Sequence, residues 1–257
     1  MARDRGFVWT GALLFLLSAT ATVAWCGSMD GGMPMPGGWT MSMAWMRMPG
    51  QSWPAAAAMF LGMWLVMMAA MMLPSLVSML SRYRRGLRER GASGLAVATL
   101  LVSVGYFAVW AGFGVAVYPF GIALAAAEMR STALAEAVPL LAGVALVLAG
   151  AAQLSRFKGR QLARCRDSLS CCAPPARGAL SALRHGLHLG LHCSLCCLGL
   201  IGALLVAGVM DLRAMAAVTA AITLERLAPR PKRFAHATGV LVMAAGVVAI
   251  ARAVRAA

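Results

Sequence analysis

Apolar residues in this chain fall into long blocks, separated by short segments that carry most of the charge. Seven blocks stand out, at 7–25, 54–80, 95–120, 138–154, 183–208, 214–228 and 235–251. A helix needs about 20 mostly apolar residues to cross a hydrocarbon layer of about 30 Å. The pattern therefore predicts an all-α fold, a polytopic membrane helix bundle of about seven transmembrane helices. The sixth block is the shortest and ends at Glu225 and Arg226, so a re-entrant segment is its alternative. The count becomes six if that holds or if the first block is cleaved. Gly and Pro recur inside several blocks, as they do in membrane helices whose neighbours re-satisfy freed backbone groups.

Composition excludes a water-soluble alternative. Apolar residues make up 61% and charged residues 12% of the 257, with a mean hydropathy of +0.79. Soluble domains hold about 45–50% and about 25%. The whole of 1–257 reads as one integral membrane domain. Its longest polar stretches are a Met-rich outer loop, 26–53, and a basic, Cys-containing inner loop, 155–182.

The net charge of +15 would suggest nucleic acid on a soluble chain. Here the charges lie between apolar blocks, so they read as topology, with the lipid bilayer as partner and no nucleic acid. Arg3, Arg5, five arginines over 82–90, seven basic residues over 156–184 and four over 226–233 fall on one side of a seven-span path. Arg47, Arg130, Arg213, Arg252 and Arg255 fall on the other. The basic-rich side is cytoplasmic by the positive-inside rule, which puts the N-terminus inside. Arg3 and Arg5 before an apolar stretch also fit a signal peptide. The length of the stretch and the bulky Trp25 before Cys26 favour an uncleaved anchor.

Fourteen of the 19 methionines lie between Met29 and Met79. The outer loop holds Met29, Met33, Met35, Met41, Met43, Met46 and Met48, and an exposed loop has no packing reason to carry so many flexible apolar side chains. Thioether sulfur is a soft, uncharged ligand suited to Cu(I). In the second block Met59, Met63, Met67 and Met71 recur every four residues and form one helical stripe, while Met68, Met72 and Met79 form a second. Packing in the core or at the headgroup level is the competing explanation for both groups. Pro74 is expected to kink this helix or free carbonyls in its inner half.

Of seven cysteines, Cys26 is alone outside. Cys165, Cys171, Cys172, Cys193, Cys196 and Cys197 fall on the cytoplasmic side or just within the membrane, where thiols stay reduced and metal or catalytic roles outweigh disulfides. The densest run enters the fifth block. With His185 at 0°, His188, His192 and Cys196 fall at about 300°, 340° and 20°, and Cys193 and Cys197 at about 80° and 120°. Cys193, Cys196 and Cys197 supply i,i+3 and i,i+4 pairs, and Gly186 and Gly190 leave room for a close neighbour. Thiolates and imidazoles suit Cu(I) or zinc. Against this, buried cysteine also packs as a small hydrophobe, and a lone interfacial histidine is ordinary. Glu128, Glu136, Asp211 and Glu225 sit near helix ends, where salt bridging or capping is the expected role. No phosphate-binding loop, nucleophile elbow or paired-carboxylate motif is present.

Several of these segments occur together, in order, in a known family. The run Trp64 to Ser75 with its Met-Met-Leu-Pro ending, the Lys158 to Arg166 loop, Gly186-x3-Gly190-x2-Cys193-x2-Cys196-Cys197, Gly208 to Leu212 and Glu225 to Pro229 resemble a bacterial family of uncharacterised, predicted metal-binding integral membrane proteins. The resemblance covers about residues 50–230. It implies a membrane-spanning helical fold and marks Met67, Met68, Met71, Met72, Cys165, Cys193, Cys196 and Cys197 as positions matching its motifs. Gln161 stands where the pattern implies a further cysteine, Leu195 and Leu198 where it implies Gly and Trp, and His192 where an aromatic is usual.

These readings converge on transition-metal handling, most readily Cu(I), by a multi-pass protein of a bacterial inner (cytoplasmic) membrane, acting in transport, storage or delivery. The expected metal-contacting residues are Cys193, Cys196, Cys197, His188, His192, Cys165, Met67, Met68, Met71 and Met72. The implied partners are a metal donor or acceptor protein, or a membrane metalloenzyme. Enzymatic activity is left open. One alternative is a membrane thiol oxidoreductase using the Cys193/Cys196 pair. Another is a structural or assembly subunit of a membrane complex, for which Ala- and Gly-rich helix faces are suited.

Overall fold

A computed structural model describes residues 2–28, 32–48, 50–167 and 178–256 of the chain. They form α1 (Ala2–Ser28), α2 (Trp53–Glu89), α3 (Leu95–Arg130), α4 (Thr132–Leu154), α5 (Arg156–Asp167), α6 (Ala179–Ala207), α7 (Leu212–Leu227) and α8 (Pro231–Ala256). Each of the seven apolar blocks lies on its own helix. Six of them, α1, α2, α3, α4, α6 and α8, are long and apolar enough to cross a membrane. The sixth block forms α7, which has 16 residues and falls short of that length.

The helix ends follow from local chemistry. Ser52 caps α2 by accepting from the Ala55 amide, with Pro54 in the first turn, where a missing N–H costs nothing. Ser131 closes α3 and opens α4, accepting from the Leu134 amide. Asp211 caps α7 through the amides of Arg213 and Ala214 at 2.8 and 3.1 Å, the capping role expected of it. Helix α2 continues through Pro74.

Helix α2 is the centre of the molecule, packed by α1, α3 and α7. Its neighbours α3 and α6 approach closely through glycines. A Cβ on Gly190 would lie 2.8 Å from the Tyr106 carbonyl, and one on Gly186 would collide with the backbone at Val102. The room read from Gly186 and Gly190 is thus filled by α3. Helices α4 and α8 meet in the same way through Gly143, Gly150, Gly239 and Gly246. Small residues at helix contacts are the usual solution where lipid removes the hydrophobic drive between helices. Leu13, Leu17, Leu100, Phe120 and Leu241 point away from the bundle and stay exposed, as lipid-facing residues do.

The stretch between α1 and α2 has structure of its own. Strands β1 (Met33–Met35) and β2 (Trp39–Met41) form an antiparallel hairpin, with Met33 opposite Met41. A single 3-10 turn follows at Met43–Trp45. The Trp39 indole donates to the Ala135 carbonyl at 2.9 Å, and the Trp45 ring lies 5.4 Å from that of Phe60. The expectation of a wholly exposed loop is therefore corrected. Met41 is 2% exposed and has a packing role, while Met33 and Met48 are exposed.

Candidate metal centre

Helix α7 runs back from the hairpin end of α6, and its last turn reaches the middle of the bundle. There Arg226 meets the thiols of α6 and the methionines of α2. The Arg226 Nη2 lies 2.8 Å from Cys193 Sγ and 3.4 Å from Cys197 Sγ, and its Nη1 donates to Ser75 Oγ at 3.2 Å. Tyr106 on α3 brings its Oη to 2.7 Å from Cys193 Sγ. On the α2 side Met72 Sδ is 3.9 Å from the same thiol. Cys197 interacts in turn with the thiols of Cys193 and Cys196. Cys193, Cys197, Met72, Tyr106 and Arg226 are all buried.

A second layer of charge lies beside this group. Lys158 of α5 binds Glu225 of α7 at 2.6 Å, with both side chains almost completely buried. Lys158 Nζ also donates to the Cys196 carbonyl at 2.6 Å. The Glu225 Oε1 accepts from Gln153 Nε2 at 2.9 Å and from Thr238 Oγ1 at 2.7 Å. Glu225 thus has the salt-bridging role expected of it. Burial alone would lower the Lys158 pKa, but Cys196, Cys197 and the Glu225 carboxylate outweigh it and hold the ammonium above the ordinary lysine value. Glu225 offsets the charge of Lys158, and the guanidinium of Arg226 faces Cys193 and Cys197 directly.

Chemically, this is a soft site. A metal–thiolate bond is about 2.3 Å, and ligands arranged trigonally or tetrahedrally at that distance stand roughly 3.8 to 4.0 Å apart. The 3.9 Å between Cys193 and Met72 matches that edge. Among the described residues no three side chains of the His, Cys, Asp and Glu types converge to hold an ion. Thiolate and thioether side chains are soft and suit Cu(I).

The structure distributes the expected site residues unevenly. Cys193, Cys197 and Met72 are together, and Met67, Met68 and Met71 are buried in the same core. Cys196 interacts with Cys197 and packs also with Leu162 and Ala235. His188 is exposed and His192 half-buried, their rings edge to face with centroids 4.4 Å apart. No hydrogen bond connects either to the thiols among the described residues. His185 stacks on Tyr83 at 5.3 Å. Cys165 falls on α5, but its side chain, and all of Cys171 and Cys172, lie outside the described residues. Gln161, in place of the implied cysteine, is 6% exposed.

Sequence reasoning did not single out Tyr106, and it carried Ser75 only within a matched motif and Arg226 only as a topological charge, a block end and part of another matched motif. A charged residue inside an apolar block was the available signal for Arg226, since such residues are costly in membranes and tend to serve function. Nothing in the sequence marked Tyr106, which acts through the close α3–α6 approach.

The fold and site together define a multi-pass helical membrane protein with a buried group of sulfur side chains faced by a guanidinium. A family model described as "PpoB2: Copper chaperone" matches residues 61–249. That stretch is well over half of the chain, runs from α2 into α8, and contains every element of the site just described. The chain belongs to this copper chaperone family. Membership makes copper binding and delivery its function, ahead of the oxidoreductase and structural-subunit alternatives, and bears out the copper that the soft-ligand motifs favoured. No curated protein and no solved structure matches the chain.

Proposed function

We propose that the chain carries copper as Cu(I) on Cys193, Cys197 and Met72, and hands it to a recipient metalloenzyme of the same membrane. The observation that carries this reading is the buried contact of Met72 and Arg226 with one thiol, at 3.9 and 2.8 Å. Two thiolates and Cu(I) leave one negative charge, and Arg226 supplies the balancing positive charge. A thiol gives up its proton on binding, so loading releases protons and leaves the oxidation state of copper unchanged. Tyr106 holds Cys193 in position from α3. Met67, Met68 and Met71 line the approach along α2, and Cys196 is a reserve thiol one position from Cys197. His188, His192 and Cys165 belong to the exit on the cytoplasmic side, in an orientation with the N-terminus inside a bacterial inner membrane.

The test is Cu(I) titration of the detergent-purified chain against a chromophoric chelator. Cys193→Ser is expected to lower affinity by at least about 100-fold, and Met72→Leu by about 10-fold, bracketing what supporting residues of metal sites usually contribute. Wild-type affinity in Cys193→Ser would remove the thiols from the site.

A further inference from the structure

We infer that the hairpin end of the molecule carries a second, thioether-only Cu(I) site formed by Met43, Met46, Met59 and Met63. This rests on the copper reading above and adds a place where the ion is taken up. These four methionines line one cavity together with Trp25 and Tyr118. Met43 and Met46 come from the 3-10 turn and the residue after it, and Met59 and Met63 from successive turns of α2. The cavity leaves about 20 Å³ for a water-sized sphere, where one such sphere needs about 10–15 Å³.

Packing alone does not account for this arrangement. Methionine is flexible and fills irregular gaps, so four of them around an open space is the reverse of what a packing role produces. Deeper in α2 the rule holds, with Met68 and Met72 showing no exposure at all. At the cavity the exposure is graded. Met59 is 37% exposed, Met43 and Met46 are half-buried, and Met63 is 6% exposed. The four residues therefore run from the surface to the core.

The ligand chemistry follows from the lining. None of the described residues that line the cavity is charged or a histidine. Uncharged thioethers do not offset a divalent charge and do not bind hard cations, which leaves a soft monovalent ion, Cu(I). Thioethers also form no disulfides, which suits a site on the oxidising side of a membrane. Met59, Met63, Met67 and Met71 then follow at steps of about 6 Å along α2, leading to Met72 and Cys193. Movement along this line exchanges one neutral thioether for another and transfers neither protons nor electrons. Protons are released only when the thiols take the ion.

The experiment compares anaerobic Cu(I) binding by the full chain in detergent at about pH 5 and about pH 7.5, conditions that separate ligands needing deprotonation from those that do not. Wild type, Cys193→Ser/Cys197→Ser and Met43→Leu/Met46→Leu/Met59→Leu/Met63→Leu are measured side by side. Wild type is expected to bind two equivalents, one changing in affinity by less than about threefold between the two pH values. The Met variant should lose that equivalent and the Cys variant should keep it. If the Met variant still binds the pH-insensitive equivalent, the cavity site is overturned while the thiol site stands. If the Cys variant keeps both equivalents, the thiol site fails and the cavity site stands. Should the fourfold variant aggregate, Met43→Leu/Met46→Leu alone is expected to weaken the pH-insensitive equivalent at least tenfold, and unchanged binding there would equally overturn the proposal.

Discussion

In the proposed site, the preference for Cu(I) turns on Arg226. Its guanidinium faces Cys193 and Cys197 at 2.8 and 3.4 Å in a buried setting. With two thiolates, Cu(I) and Arg226 give a neutral group, whereas Zn(II) leaves one positive charge in surroundings that solvate it poorly. Arg226→Gln reverses this count, since Zn(II) with two thiolates is then neutral. The variant is expected to lose about 10- to 100-fold in Cu(I) affinity, the usual effect of a supporting residue, and to narrow its preference for Cu(I) over Zn(II). Arg226→Lys keeps the charge but not the two-pronged geometry, and should recover the preference more than the affinity. Competition titrations with both metals decide the matter, and an unchanged preference in Arg226→Gln would show that charge balance plays no part.

Much of the proposed centre was legible at this scale. Cys193, Cys197 and Met72 are read directly from spacing, because helical period and soft-ligand chemistry are local properties of sequence. The histidines lie apart from the thiols for a related reason. A helical wheel puts His188, His192 and Cys196 on one side of α6, but it does not say which neighbour covers that side. Here Tyr106, Met72 and Arg226 cover the Cys193–Cys197 edge and leave His188 exposed. Partners contributed by α3 and α7 come from tertiary packing, which no single segment encodes.

Among the elements, the least foreseen is α5. The basic inner stretch was read as a loop, yet residues 156–167 form a helix that sends Lys158 into the bundle. Lys158 and Glu225 join α5 to α7, with Gln153 of α4 and Thr238 of α8 completing the acceptor side of the carboxylate. Removing one member of a buried pair leaves an uncompensated charge and costs about 3–5 kcal/mol, whereas removing both charges is often nearly neutral. Lys158→Met is therefore expected to destabilise by about that amount. Lys158→Met/Glu225→Gln should restore most of it, because glutamine still accepts from Gln153 and Thr238. Unfolding in detergent measures both. The linked pH dependence follows from the raised Lys158 pKa. This contribution is fully present below the unfolded lysine value of about 10.4 and is lost as pH rises through the higher folded value. Between about pH 6 and pH 8 Lys158 should thus contribute no slope. A double variant no more stable than Lys158→Met would mean that Lys158 acts through the Cys196 carbonyl instead.

For the molecule as a whole, long apolar runs fixed the helix positions because a bilayer demands length and hydrophobicity along one segment, and both are visible without tertiary knowledge. Helix α7 was the weakest of the seven readings and is the helix that falls short in the structure. Its course nevertheless returns the chain from the hairpin end, where Cys26 Sγ lies 3.7 Å from Met210 Sδ, to the thiol layer at Arg226. The alternation of charge requires this path to complete a crossing. The hairpin end should then face away from the cytoplasm, and the turn between α2 and α3, next to the five arginines of 82–90, should face it. A membrane-impermeant maleimide applied to intact cells tests this, with Met48→Cys and Ser93→Cys as reporters at exposed turns. Native Cys26 is buried and should give little background from outside. Met48→Cys is expected to react in intact cells and Ser93→Cys only after the membrane is opened. The reverse pattern would invert the molecule, put the methionine cavity on the cytoplasmic side and require copper to enter past the thiols and leave past the thioethers.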